Sequence, residues 1–88
     1  MYFSIMTQIV DRFIELWKLE RLTAKWLAEE TGVEEKRWYN IKQNKVMRTS
    51  ELEAIQKIFP EYRSWLSTGD EYLEAGQISP MTKKAQRS

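Results

Sequence analysis

The chain is divided by glycine, asparagine and proline into short segments whose apolar residues recur at helical spacing. In residues 31–45, TGVEEKRWYNIKQNK, a glycine ends one segment and the next begins shortly after it. Gly32 suits the left-handed position that commonly ends a helix, and Val33 can close the turn against a core. No segment shows a strand signal above noise. The sequence therefore predicts an all-α fold.

Capping residues divide the chain into five predicted helices. Thr23 can N-cap the second helix, and Ser50 with Glu53 has the spacing of a capping box at the fourth. Pro60 is suited to the start of the fifth helix. Asn44 follows the third helix and tolerates a left-handed turn there. The helices are expected over about residues 4–20, 24–31, 34–43, 51–59 and 60–69.

The length of 88 residues and a hydrophobic content of 42% indicate one small domain with its own core. We place this domain at residues 1–69. Residues 70–88 are interpreted as a C-terminal extension that is partly mobile and a possible dimer contact. Because the sequence there ends in polar and basic residues, about the last dozen residues are expected to form a mobile tail.

Two residue types with distinctive chemistry are missing, since the chain contains no cysteine and no histidine. This excludes disulfides, thiol chemistry, thiolate metal sites and every histidine-dependent triad. We therefore expect a protein that is not an enzyme and needs no cofactor. Adjacent acids at Glu29, Glu30, Glu34 and Glu35 lie on different helix faces, so no metal site is expected.

The net charge is only +1, yet the charges are unevenly distributed. Residues 51–74 hold six acidic side chains against Lys57 and Arg63. Between residues 36 and 50 every charged side chain is cationic: Lys36, Arg37, Lys42, Lys45 and Arg48. A localised cationic surface of this kind is typical of a face that binds phosphates.

The segment LTAKWLAEETGVEEKRWYNIKQNK joins the second and third predicted helices by a tight turn, which is a helix-turn-helix arrangement. It resembles the lambda-repressor-like family of phage and bacterial regulators (xenobiotic-response-element type), whose motif reads roughly L-T-Q-x-x-L-A-x-x-L-G-V-S-x-x-x-I-S-x-I-E-x-G-K. The matching residues are Leu22, Thr23, Leu27, Ala28, Gly32, Val33, Ile41 and Lys45. The resemblance implies a compact five-helix domain whose third helix enters the major groove of DNA.

The resemblance also implies a set of DNA contacts. Side chains directed away from Trp38 and Ile41 would meet base edges, namely Glu35, Lys36, Tyr39, Asn40 and Gln43. Among them, Lys36 would donate to guanine and Asn40 would pair with adenine. Residues beside the groove would bind phosphates, namely Thr23, Lys25, Arg37, Lys45 and Arg48. The alternative is that this is only the solvated face of an amphipathic helix.

Several positions depart from the family pattern. Trp17 and Lys42 occupy positions that often hold an Arg–Glu pair linking the first and third helices. Asn44 stands where the motif has a turn glycine, at a modest conformational cost. Trp26 replaces an exposed polar residue, and it either covers the first helix or presents an exposed surface to a partner.

A single recognition helix covers few base pairs, so the expected assembly is a homodimer on a pseudo-palindromic operator. One candidate contact is the surplus apolar face of the first helix together with Tyr2 and Phe3. The other comprises Trp65, Tyr72 and Leu73. We favour the second because the family commonly dimerises through the region after its fourth helix.

We interpret the chain as a sequence-specific transcriptional regulator, a prophage repressor or Cro-like protein that occludes a promoter on double-stranded operator DNA. The alternatives are a small phage module that binds a host protein, and an antitoxin-type regulator that binds a toxin as well as DNA. The segment MYFSIMTQIVDRF lacks the features of a signal peptide or a membrane span. We therefore expect a cytoplasmic protein without membrane contact, and no small-molecule effector pocket is evident.

Overall fold

The protein is all-helical in the computed structural model, which describes residues 2–87 and the side chains of residues 8–87. Within that part of the chain the α-helices are α1 (Tyr2–Leu19), α2 (Ala24–Thr31), α3 (Glu35–Asn44), α4 (Thr49–Ile58), α5 (Arg63–Thr68) and α6 (Pro80–Arg87). Short 3₁₀ turns cover Pro60–Tyr62 and Leu73–Ala75. The prediction of an all-α fold is confirmed for the described residues. None of the described helices is both long and apolar enough to cross a membrane.

The core forms around one face of α1. Val10, Phe13 and Leu16 are completely buried there, at the spacing that places side chains on one helical stripe. The Phe13 ring lies 5.7 Å from the ring of Trp17 and 5.7 Å from that of Trp38 on α3. The radius of gyration is 12.7 Å, close to the roughly 12 Å expected of a compact folded chain of this length. The large aromatic rings therefore fix α3 against α1 in a compact globule.

The turn between α2 and α3 follows the sequence prediction. The Thr23 hydroxyl accepts a hydrogen bond from the backbone N–H of Trp26 at 3.0 Å and so caps α2. Gly32 has a φ of 77° and its N–H donates to the Ala28 carbonyl, which is the geometry that favours glycine after a helix. The Val33 N–H then donates to the Thr31 hydroxyl at 3.1 Å. These local bonds set the short connection that positions α3.

The connection between α3 and α4 differs from the prediction. The left-handed residue is Lys45, with a φ of 56°, whereas Asn44 is the last residue of α3. Helix α4 begins at Thr49, so Ser50 and Glu53 do not cap it as expected. Instead, the Glu51 carboxylate accepts from the backbone N–H of Arg48 at 2.7 Å. Glu51 can do this because it is held in place by a partner on α3.

The fifth predicted helix is divided in two. Pro60 begins a 3₁₀ turn, and the α-helical part follows from Arg63. Arg12 of α1 binds the end of α5, since its Nε donates to the Leu66 carbonyl at 3.0 Å and its Nη2 donates to the Ser67 carbonyl at 3.1 Å. These bonds satisfy carbonyl groups that have no partner within the helix.

The expected mobile tail is instead the helix α6, which is held at both of its ends. The Ser79 hydroxyl accepts from the Thr82 N–H at 3.2 Å and Pro80 is the first helical residue, a favourable helix start. Lys83 Nζ lies 2.5 Å from a Glu61 oxygen. Arg87 Nη2 lies 3.0 Å from a Glu20 oxygen, on the end of α1. The helix was not predicted because these partners are distant in sequence.

The link between α5 and α6 is also fixed by hydrogen bonds. Gln77 accepts from the Ser64 N–H at 2.9 Å and donates to the Pro60 carbonyl at 3.0 Å. Tyr72 and Gln77 form an isolated antiparallel bridge. Residues 70–79 therefore follow the surface of the domain, and their course determines where Tyr72 and Leu73 lie.

Candidate nucleic-acid interface

Helix α3 has one buried face and one exposed face. Trp38 and Ile41 are completely buried, and the Trp38 indole N–H donates to the Val33 carbonyl at 3.2 Å. All five residues expected to meet bases are exposed on this helix: Glu35, Lys36, Tyr39, Asn40 and Gln43. Tyr39 is 56% exposed, which is high for a large aromatic side chain. The structure therefore brings the expected base-contact residues to one helical surface.

Helix α3 is attached to α1 by two cations. Lys42 Nζ lies 4.8 Å from the centre of the Trp17 ring, within the range of a cation–π interaction. Lys45 Nζ lies 3.1 Å from an Asp11 carboxylate oxygen. Both members of the second pair are about half exposed, so this ion pair contributes little to stability. Lys45 can therefore leave Asp11 and bind another anion with little loss of free energy.

Arg37 forms the main polar link between α3 and α4. Its Nε and Nη2 donate to the two carboxylate oxygens of Glu51 at 2.5 and 2.9 Å. Burial on its own would raise the pKa of Glu51, but the bonds from Arg37 and from the Arg48 N–H outweigh it and lower that pKa. The hydrogen bond to Glu51 likewise raises the pKa of Arg37.

The interaction with Glu51 changes the role expected of Arg37. We predicted that Arg37 would bind a DNA phosphate. Its charge is instead neutralised within the protein, because one edge of the guanidinium is occupied by Glu51. Its Nη1 donates to Asn40 Oδ1 at 3.0 Å. Arg37 is therefore left out of the phosphate-binding set.

The other residues expected to bind phosphates stay at the surface. Lys25 and Arg48 are exposed, at the start of α2 and immediately before α4 respectively. Thr23 is also exposed, although its hydroxyl oxygen caps α2. With Lys45, they provide polar groups at the start of α2 and on the segment between α3 and α4.

The three residues expected at a dimer contact differ in their exposure. Trp65 is only 6% exposed and belongs to the core, so it is not available to a partner in the folded chain. Tyr72 and Leu73 are 55% and 64% exposed. They line a shallow cleft of about 460 Å³ with Glu74 and Ala75. The competing candidates, Tyr2 and Phe3, lie outside the described side chains.

Trp26 is partly buried and packs against an aromatic residue that neither expected arrangement included. Its ring lies 5.9 Å from that of Phe59, the residue that follows α4. It is partly buried and, with Phe59, lines a cleft of about 370 Å³ at the end of α1. The residue therefore packs across α2 and α4.

Sequence reasoning missed Glu51 as a residue of this site. Acidic residues are common in the first turn of a helix because their negative charge interacts favourably with the helix dipole. A glutamate at position 51 therefore gave no reason to expect a role in this site. Its importance follows from burial, since its side chain is only 3% exposed while bearing a charge.

No family model, curated protein or solved structure matches this chain. Across residues 2–87, no group of three acidic side chains is arranged to hold a metal ion.

Proposed function

We propose that the chain is a sequence-specific DNA-binding regulator with a lambda-repressor-like helix-turn-helix, in which α2 crosses the DNA backbone and α3 enters the major groove. It would bind operator DNA as a homodimer and occlude a promoter. The observation that carries this proposal is the composition of the exposed face of α3. That face is built from donors, acceptors and one exposed aromatic ring on a helix whose opposite face is fixed in the core.

The spacing of these side chains supports the proposal. Lys36, Tyr39, Asn40 and Gln43 stand at positions i, i+3, i+4 and i+7 of α3, which share one helical face. A helix fits the major groove, where base edges present donors and acceptors in a distinct pattern. The four side chains can therefore follow successive base pairs.

The distribution of charge also supports the proposal. Lys25, Lys36, Lys45 and Arg48 lie at the surface of α2, α3 and the segment between α3 and α4. Cations beside a groove bind phosphates and fix the register of the protein on the duplex, while base contacts supply specificity. A small cationic surface is sufficient for this role although the net charge is only +1.

Dimerisation is proposed to use Tyr72 and Leu73. Both are large apolar side chains that remain more than half exposed, and they are adjacent on a segment fixed by the bridge between Tyr72 and Gln77. A two-fold contact between two copies would cover both side chains and place two α3 helices on one operator.

Selection from a random pool of duplex DNA tests the proposal, followed by affinity measurements for the selected site over a range of salt concentrations. We expect a short pseudo-palindrome and an affinity that falls steeply as salt rises, because phosphate contacts release counterions. A pool without any enriched sequence would contradict the proposed function.

The same exposed apolar pair favours a second candidate, a module that binds another protein. Tyr72 and Leu73 border a cleft large enough to receive a side chain, and such exposed apolar surface often marks a protein contact. A partner held through this cleft would bind with little dependence on salt, which distinguishes it from DNA.

A further inference from the structure

We propose that Arg37, held by Glu51, orients the Asn40 side-chain amide so that Asn40 presents its amino group to the bases and prefers guanine to adenine. This inference rests on the proposed function, and it assigns Arg37 as a positioning residue. It also revises the expectation that Asn40 pairs with adenine.

The first link is the rigidity of Glu51. Its carboxylate accepts from Arg37 Nε, from Arg37 Nη2 and from the backbone N–H of Arg48. The side chain is 3% exposed, so water cannot readily replace these partners. A bidentate pair between a guanidinium and a carboxylate has a defined plane and direction, and the position of Arg37 is therefore set by α4.

The second link is the bond from Arg37 to Asn40. Arg37 Nη1 lies 3.0 Å from Asn40 Oδ1. A guanidinium only donates hydrogen bonds, so the amide oxygen must face it and the amino group must point elsewhere. If the amide were turned the other way, its amino group would face the guanidinium, and two hydrogen-bond donors would point at each other. Arg37 thus decides which end of the amide is free.

The consequence concerns the chemistry of the base that Asn40 meets. One lone pair of its oxygen already accepts from Arg37 and the oxygen is directed towards the guanidinium, whereas both protons of Nδ2 remain for a ligand. Guanine presents two neighbouring acceptors, O6 and N7, at its major-groove edge. Adenine presents N7 beside an amino donor, and its usual pairing with asparagine needs the amide oxygen as well. An amide restrained by Arg37 therefore fits guanine better.

The test uses the double variant Arg37→Met with Glu51→Met. Replacing both charged partners by apolar groups of similar length avoids a buried unpaired carboxylate and leaves the net charge unchanged. Base preference at the position read by Asn40 is measured in the wild type, in Asn40→Ala, in the double variant and in the triple variant. The position is identified as the one at which Asn40→Ala removes selectivity.

For the wild type we expect guanine to be preferred over adenine by about tenfold at that position. The double variant should lose this preference or shift it towards adenine, and Asn40→Ala should have less effect in that background. An unchanged guanine preference in the double variant, or an adenine preference in the wild type, would overturn the assignment of Arg37. A wild type that selects no sequence would overturn the proposed function itself, and base reading by Asn40 with it.

A second measurement does not depend on DNA or on the folding of the double variant. Nuclear magnetic resonance relaxation of the side-chain amides compares Asn40 with Gln43, an exposed amide on the same face of α3. We expect the Asn40 amide to be the more rigid of the two in the free wild-type protein. Equal mobility of the two amides would show that Arg37 does not hold Asn40.

Discussion

The ammonium group of Lys42 lies 4.8 Å from the centre of the Trp17 ring. Trp17 is 6% exposed and belongs to the core, so the contact joins the exposed end of a lysine on α3 to a ring that α1 holds in place. A cation and an aromatic ring thus connect α3 with α1.

Lys42→Ala should lower the free energy of unfolding by about 0.5–1 kcal/mol, the usual strength of a cation–π contact near the surface. Urea unfolding followed by circular dichroism measures this. Lys57→Ala is the matched control, since Lys57 is an exposed lysine near the end of α4. Equal losses in the two variants would show that the contact with Trp17 has no particular stabilising effect.

Lys36→Ala and Asn40→Ala should each weaken binding to the selected operator by roughly 1–3 kcal/mol and relax preference at one base position. Both residues are exposed, so thermal unfolding should change little. Fluorescence anisotropy with operator and scrambled duplexes measures the effect. If neither variant discriminates less between the two duplexes, α3 is not the helix that reads the sequence.

Lys45→Gln and Arg48→Gln should weaken binding to all duplexes alike. Each should reduce the slope of log affinity against log salt by about one unit at most, because each would remove one of the proposed phosphate contacts. Glutamine removes the positive charge of Lys45 and keeps a polar side chain one atom shorter, and like lysine it is a non-glycine residue at this positive φ. Lys57→Gln serves as the control and should leave the slope unchanged. A change in base preference with no change in slope would contradict the backbone role.

Replacing Tyr72 and Leu73 with Asp should give a folded monomer with weak operator binding, because two charges would have to be buried at the contact. Sedimentation velocity measures the assembly. Met81→Asp is the comparison, since Met81 is also apolar and 45% exposed, but lies on α6. A Tyr72/Leu73 variant that remains dimeric would move the interface elsewhere, and a monomeric wild type on DNA would refute the dimer.

Stability should fall in acid because of Glu51. Its pKa is lowered in the folded chain, so its stabilising effect is complete above the ordinary carboxyl pKa of 4.5 and is lost as the pH falls through the lowered value. Glu51→Gln should be less stable at pH 7 and should lose less stability between pH 7 and acid. Glu53→Gln, an exposed change on α4, should follow the wild type throughout. Thermal melts across pH measure both.

Local chemistry made the first three helices predictable from the sequence. The cap at Thr23 and the left-handed Gly32 act within a few residues, and the bounds of α1, α2 and α3 differ from the prediction by two residues or fewer. The exposed face of α3 followed from the same periodicity. None of these inferences needed a partner from elsewhere in the chain.

The features that sequence reasoning missed depend on distant partners. Glu51 binds Arg37, which is 14 residues away. Held in this way, it accepts from the Arg48 N–H at the start of α4, where Ser50 and Glu53 had been expected to form the cap. Ser79 and Pro80 do form a recognisable helix start, but α6 has few apolar residues and is held through Glu61 and Glu20.

The ion pair between Arg87 and Glu20 joins residues 67 positions apart. During translation the end of α1 is made before its partner on α6, so this ion pair cannot form until the later helix has been made. A chain that has been synthesised only as far as α5 would leave Glu61 without Lys83 and Glu20 without Arg87. The contact between α6 and the end of α1 can form only after both partners of these ion pairs have been made.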